Sequence, residues 1–371
     1  MFKKQLLIIW FPTLIVSVIG FFVFDNYRYH EPIISGLPRQ FSSEPSLTPE
    51  SVKAIFVGDI MLSRNVGKQM EKNQDFTFPF LKINSFLNSA DFVFGNLEGP
   101  ISDQGRNQGS IYSFRADPNV VKGLEGANFK VLSLANNHIW DWGQPALLQT
   151  IELLNQNNIL PVGAGKDYDS VNQILVFREK GMRFGFFAMT DLYPESLQAA
   201  SSSPGISNPD FELLEQKIKN AKEQSLIDFM IVSLHWGNEY EKEPRPWQVE
   251  QAHKLALAGA DLIIGHHPHV IQTYEKYPST APGTGRQSLI FYSLGNFVFD
   301  QGFSEETMEG LAVEIEFPAP KRRSPSPRLP GVSGGEKSKP ITSRLYQVKL
   351  NEFYQPELGE IIDPSITLRA R

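Results

Sequence analysis

The stretch GADLIIGHHPHVIQ, residues 259–272, is a short apolar run closed by three histidines, His266, His267 and His269, set around a single proline. Its apolar half reads as a buried strand, and imidazole is costly to desolvate without a partner yet is a good metal ligand. Five further segments repeat the form. VKAIFVGD, SADFVFGNLEG, NFKVLSLANNH, LIDFMIVSLHWG and SLIFYSLGNF each run apolar up to Gly, Asn, Asp or His. Helical patterns such as GQPALLQTIELLNQNN and RPWQVEQAHKLALAGA lie between them. Strands alternating with helices predict an α/β layered fold, whose ligands gather at the carboxyl ends of the strands.

The 371 residues, 41% hydrophobic and 20% charged, suffice for one large domain or two small ones with a proper core. A net charge of -6 lacks the basic surplus of a nucleic-acid binder. Cysteine is absent, which excludes disulfides, thiolate zinc sites and a cysteine nucleophile, so any metal must sit on nitrogen and oxygen. Near the N-terminus, Lys3 and Lys4 precede an uncharged run from Leu6 to Phe24. At about 1.5 Å per residue this run just spans the hydrocarbon core of a bilayer, and no small-x-small cleavage site is evident. Residues 1–29 are therefore expected to form an uncleaved transmembrane helix, with the lysines in the cytoplasm and the rest of the chain outside it. Residues 30–50, rich in Pro and Ser, read as a flexible tether, and the folded body spans 51–371. Within that body, residues 318–340 are Pro, Ser, Gly and basic residues with almost nothing to bury, which predicts a disordered insertion. The alternating segments EGLAVEIEF and SRLYQVKLNEFY on either side of it are expected to pair as a hairpin.

The polar residues at the strand ends are Asp59; Asn96 and Glu98; Asn136, Asn137 and His138; His235; and the histidines of GHHPH. Carboxylate and amide oxygens combined with imidazole suit Zn, Mn or Fe, whereas an all-oxygen set would suit Mg or Ca. Four or more ligands from separate strand ends can bracket two ions. Taken singly, each residue has a plainer reading: Asp after a strand often caps a helix, and Asn supports tight turns. His253 sits within a helical pattern and reads as an ordinary, partly exposed residue, and His30 belongs to the tether. Their joint occurrence in one order carries the metal reading.

VGDIML, GNLEGPIS, ANNHIWDWG, PVGAG, SLHWGNEY, GADLIIGHHPHVIQ and FYSLGNF together resemble the CapA family, the poly-gamma-glutamate capsule synthesis proteins, over residues 53–316. That family is similar in fold to the calcineurin-like metallophosphoesterases. The resemblance therefore implies a four-layer α/β/β/α sandwich with a metal centre at the strand ends. It implies that Asp59 is the first metal-binding aspartate, that Glu98 stands where a bridging aspartate is expected, and that Asn137 is a ligand. His138 would act on the oxyanion or leaving group. His235 matches the lone downstream ligand, and His267 with His269 the final pair, His266 being inserted. Met61 occupies the position of the histidine in the phosphoesterase DxH pattern, the second first-strand ligand, which leaves one-ion and two-ion centres both open.

Asp141, three residues beyond His138, is placed to orient it, while Glu239 and Asn296 lie at the same rim as substrate contacts or supports. Trp140, Trp142 and Trp236 are either cleft walls or core. The expected protein is a membrane-anchored, extracytoplasmic, metal-dependent hydrolase of phosphoesterase type with one or two divalent ions (Mn, Zn or Fe). Its substrate would be a phosphoester or an amide of an anionic surface polymer, and its partners other capsule synthesis membrane proteins. The other reading is a non-enzymatic component that binds or exports such a polymer.

Overall fold

Strands buried on both faces form the middle of each sheet, and their apolar runs end where the sheets' polar edge begins. The computed structural model describes residues 51–207, 210–279, 287–319 and 341–362. Following the chain, β1 (Val52–Ile60), β2 (Phe92–Leu97), β3 (Phe129–Ser133) and β4 (Leu160–Val162) pair in parallel. Their connections carry α1 (Arg64–Asn73), α2 (Asn84–Leu87), α3 (Val121–Gly126) and α4 (Gly143–Gln156). After β5 (Ala164–Gly165) and α5 (Tyr168–Asn172), an antiparallel hairpin of β6 (Leu175–Glu179) and β7 (Met182–Thr190) starts a second sheet. β8 (Gly205–Ile206) then returns to pair with β5.

The second sheet is completed by α6 (Phe211–Glu223), β9 (Phe229–His235), α7 (Pro246–Ala258), β10 (Leu262–His266), β11 (Tyr274–Pro278) and β12 (Gln287–Phe291). Its strand order is β11-β12-β10-β9-β7-β6. The chain then re-enters the first sheet through β13 (Asn296–Val298), which lies parallel to β1. An antiparallel series, β14 (Glu309–Phe317), β15 (Thr342–Leu350) and β16 (Pro356–Ile362), extends that sheet to β16-β15-β14-β1-β2-β3-β4. The hairpin expected across residues 318–340 is present, with Glu316 opposite Thr342.

Alternate residues of β1 go to different cores. Ala54 and Phe56 join Phe92, Phe94, Phe184, Phe186 and Phe229 between the two sheets, where Phe94 stacks on Phe186 at 5.5 Å. Ile55 and Val57 face outward onto Val66, Leu124 and Leu147 of the first sheet's helices. On the far side, Leu214, Ile218, Ala252 and Leu255 of α6 and α7 cover Met230, Val232 and Ile263. The layers thus run helix, sheet, sheet, helix. Burying a phenylalanine is worth about 1.5–3 kcal/mol, so the aromatic layer between the sheets is the main force holding them face to face. Among the described residues no helix is long and apolar enough to cross a membrane. The anchor expected over 1–29, the tether over 30–50 and the expected insertion from residue 320 onward lie outside the described residues.

Candidate functional site

Strand register assembles the site before any side chain is considered. In the first sheet Asp59 is flanked by Asn96 on β2 and Asn296 on β13; in the second, His235 is flanked by His266 on β10 and Thr190 on β7. Neighbouring strands lie about 4.8 Å apart, so each sheet delivers a short row of polar groups at one edge. Two glycines permit the close approach of the strands there. A Cβ on Gly58 would lie 1.9 Å from Gly295 O, and one on Gly265 would lie 1.8 Å from Tyr292 O. Each immediately precedes a site residue, Asp59 or His266.

Beyond β10 the chain turns through His267 at φ 95° and His269 at φ 58°, both in the left-handed region. Side chains other than glycine hold that conformation at a cost of roughly 1–3 kcal/mol each. The turn brings one backbone amide and one imidazole to Asp59: the His267 backbone N–H donates to Asp59 Oδ2 (3.2 Å), and His269 Nδ1 lies 3.3 Å from the same oxygen. Asp59 Oδ1 accepts from Asn96 Nδ2 (2.8 Å) and lies 3.4 Å from His266 Nδ1. Burial alone would raise the Asp59 carboxyl, but the imidazoles of His266 and His269 beside it hold it well below the usual carboxylate range. Glu98 behaves oppositely. Burial pushes it well above its ordinary value against the pull of His269, with Asp59, Glu239 and Asp141 adding to the rise. Although burial opposes it, Glu98 and Asp59 lift His269 to about 9. Burial, helped by His269, lowers His267 to about 3, and burial beside His267 holds His235 well below its ordinary value.

The expected residues do come together. His138 Nδ1 lies 2.8 Å from Asp141 Oδ2, which leaves Nε2 on the side of Glu98 Oε1, 4.0 Å away. His235 Nε2 faces Asn137 Oδ1 at 2.8 Å, while its Nδ1 receives Asn96 Nδ2 at 3.2 Å, an arrangement that puts the ring proton on Nε2. Asn296 Oδ1 lies 3.0 Å from His269 Nδ1, and its Nδ2 donates to Thr307 O (2.9 Å) and Gln301 Oε1 (3.0 Å), so Asn296 orients an imidazole. Glu239 is exposed at the rim, yet one of its oxygens converges with nitrogens of His267 and His269; Asp59, Glu98 and His269 form a second convergent group. Met61 turns away, its sulfur accepting from Ser63 N (3.2 Å) and Oγ (3.0 Å). Trp236 is core, its Nε1 donating to Tyr292 O (3.1 Å), and His253 is the part-buried partner of Glu275 (2.7 Å).

Two residues carry more than their sequence context indicated. Asn96 touches Asp59, His235 and Asn136, whose Nδ2 donates to Asn96 Oδ1 (3.1 Å), and so forms one of the bridges between the sheets. His266, set aside as an insertion, is fully buried against Asp59 with neither ring nitrogen in a hydrogen bond. A divalent metal fits this donor set. Glu98 Oε1, His266 Nδ1 and Nε2, and His267 Nδ1 are buried atoms without hydrogen-bond partners among the described residues, and they border the convergent groups. A carboxylate oxygen or an unprotonated imidazole nitrogen left in this state is costly, and a bound cation would complete it.

Fold and site together define a mixed α/β protein whose two sheets present histidines, carboxylates and amides suited to a divalent ion. Residues 53–301 match the model of the family described as bacterial capsule synthesis protein PGA_cap, and the chain belongs to that family. It is 34% identical over 265 residues to the capsule biosynthesis protein CapA of Bacillus anthracis, covering 69% of this chain and 61% of that protein. It is 35% identical over 257 residues to the PGA biosynthesis protein CapA of Bacillus subtilis (strain 168), covering 68% of this chain and 64% of that one. The chain thus spans less than two thirds of the length of either relative. Among solved structures, a hypothetical protein from Thermus thermophilus aligns with TM-score 0.45 and 15% identity, over 80% of this chain and 99% of that one. The NAD nucleotidase of Haemophilus influenzae aligns with TM-score 0.42 and 11% identity, over 84% of this chain and 55% of that one. Neither score carries an inference about this chain.

Proposed function

We propose that the chain is a metal-dependent hydrolase of metallophosphoesterase type, acting during capsule synthesis on an anionic surface polymer of the poly-gamma-glutamate kind or on a phosphoester linked to it. The observation that carries this reading is the set of orphaned, buried donor atoms on Glu98, His266 and His267 around Asp59. Asp59, Glu98, His267 and His269 would hold one divalent ion or two, of the Mn, Zn or Fe kind, with Glu239 at the rim and Asn137, His235 and His266 behind. When bound, the ion supplies Lewis acidity at the scissile centre. Asn296 keeps His269 aligned, and Asn96 locks the first sheet to the second. His138, its Nδ1 held by Asp141, donates from Nε2 to the leaving oxygen of a phosphoester or the leaving nitrogen of an amide. The Phe114 ring packs on that of His138, their centroids 4.0 Å apart. The lysines and the long apolar run at the N-terminus support a tether to the cell membrane with the folded body outside, beside other capsule synthesis proteins.

A second reading, a non-enzymatic component that grips polymer carboxylates, is favoured by Met61, whose sulfur is committed to Ser63 where the phosphoesterase pattern has a histidine. Turnover separates the two. The full chain supplied with Mn or Zn is expected to hydrolyse poly-gamma-glutamate or model phosphoesters, with kcat falling about 100- to 10,000-fold in His138→Ala. Absence of turnover on all of these substrates, with metal bound, would leave the second reading.

A further inference from the structure

Arg64 opens α1 at φ 53°, a left-handed conformation that a long side chain keeps only when its surroundings impose it. Those surroundings are specific. Ser63, the residue placed to cap α1, spends its hydroxyl on Met61, and the first turn is capped by Asp300, whose Oδ2 accepts from Asn65 N (3.1 Å). The same buried carboxylate lies 3.2 Å from Arg64 Nη2. That ion pair occupies one corner of a group with five N–H donors, and 36% of the Arg64 side chain is open to solvent. Its guanidinium sits 5.5 Å above the Phe114 ring, and Phe114 is the residue packed on His138. Phe114 N also donates to Asp141 Oδ2 (2.8 Å), the oxygen that holds His138.

Next in the chain, the Arg115 guanidinium lies 3.5 Å from the Trp142 ring and donates from Nη1 to Gln104 O (3.3 Å). Arg64, Lys68 and Arg115 line one cavity of about 310 Å³. Its two carboxylates are Glu71 and Asp117, and Asp117 is engaged in capping at Asn119 N (2.7 Å). Arginine forks match carboxylates in a bidentate fashion, and stacking on aromatic faces fixes them in advance.

We infer that this cavity is a carboxylate-binding subsite, in which Arg64 and Arg115 hold an acidic side group of the polymer chain while an adjoining linkage lies at His138. The assignment rests on the polymer reading above and names the group that sets which polymer is accepted. Neutralising Asp300 alone would not need the strained backbone, the ring beneath the guanidinium or the second arginine.

The test is a fluorescence-anisotropy titration of a labelled gamma-linked glutamate decamer with the full chain, before and after EDTA treatment, with gamma-linked glutamine decamer and inorganic phosphate as competitors. Arg64→Ala is expected to weaken binding at least tenfold and Arg64→Lys only in part, both keeping the wild-type metal content. Arg115→Gln, whose partners are a ring face and one carbonyl, is expected to weaken it several-fold, which keeps the test informative if Arg64→Ala folds poorly. The subsite is expected to keep binding the decamer after EDTA, so a failed hydrolase reading leaves it standing. Wild-type affinity in Arg64→Lys and Arg115→Gln, or affinity abolished by EDTA, would overturn the proposal. So would phosphate or the glutamine decamer competing as well as unlabelled acid decamer.

Discussion

At the scale of single residues, the site without metal is a set of stored protons. His269, lifted to about 9, is protonated at neutral pH, and burial raises Glu98 well above its ordinary value, whereas a metal needs both groups stripped. Metal uptake at pH 7 is therefore expected to release at least one proton, read by calorimetry as an enthalpy that changes between buffers of different ionisation heat. An enthalpy independent of buffer would contradict the assignment of His269 and Glu98 as ligands. The same shifts set the sign of stability against pH. Both groups have folded values raised above their unfolded ones, so their contribution is full below the unfolded values and is lost as pH rises through the folded ones. The EDTA-treated protein is expected to lose melting temperature between about pH 6.5 and pH 9. The metal-loaded protein is expected to hold steady over that window; parallel curves would contradict the account.

At the scale of elements, the two sheets are held by aromatic pairs across their interface, and the site depends on that seam because Asp59 and His266 come from opposite sides of it. Phe94→Ala, which removes a fully buried ring stacked on Phe186, is expected to cost about 3–5 kcal/mol in a denaturant titration. A loss under about 1 kcal/mol would mean that the seam is not close-packed. Element legibility in the sequence follows burial together with clear punctuation at the strand ends. β1, β2, β3, β9 and β10 could be read because helices or the other sheet cover both faces, which makes the run continuously apolar. β6 and β7 escaped notice. β6 closes on the adjacent charged pair Arg178 and Glu179, and its partner follows after only Lys180 and Gly181, both at positive φ, a two-residue turn that presents no loop-like stretch. β16 is mostly exposed, and its Leu358, Ile361 and Ile362 form neither a continuous nor an alternating apolar run.

At the scale of the whole molecule, the candidate site was legible as a list of residues but not as an arrangement. The strand ends named Asp59, Glu98, Asn137, His138, His235, His267 and His269, since polar groups after apolar runs are visible in one dimension. That Asn96 joins the sheets, that His266 buries both nitrogens beside Asp59, and that Glu239 reaches the imidazoles depend on which strands become neighbours across long stretches of chain. No local pattern encodes such pairing, and the Arg64 cavity is hidden for the same reason, because Asp300 reaches it from the far end of the family's matching region. Everything proposed about chemistry depends on one fact: that these convergent groups hold an ion. The most direct measurement is metal content by elemental analysis of the full chain beside an Asp59→Asn/His267→Ala double variant shown by circular dichroism to be folded. One or two divalent ions per chain are expected in the wild type and none in the variant. Metal retained by the double variant, or absent from both, would contradict the metal centre and the chemistry built on it.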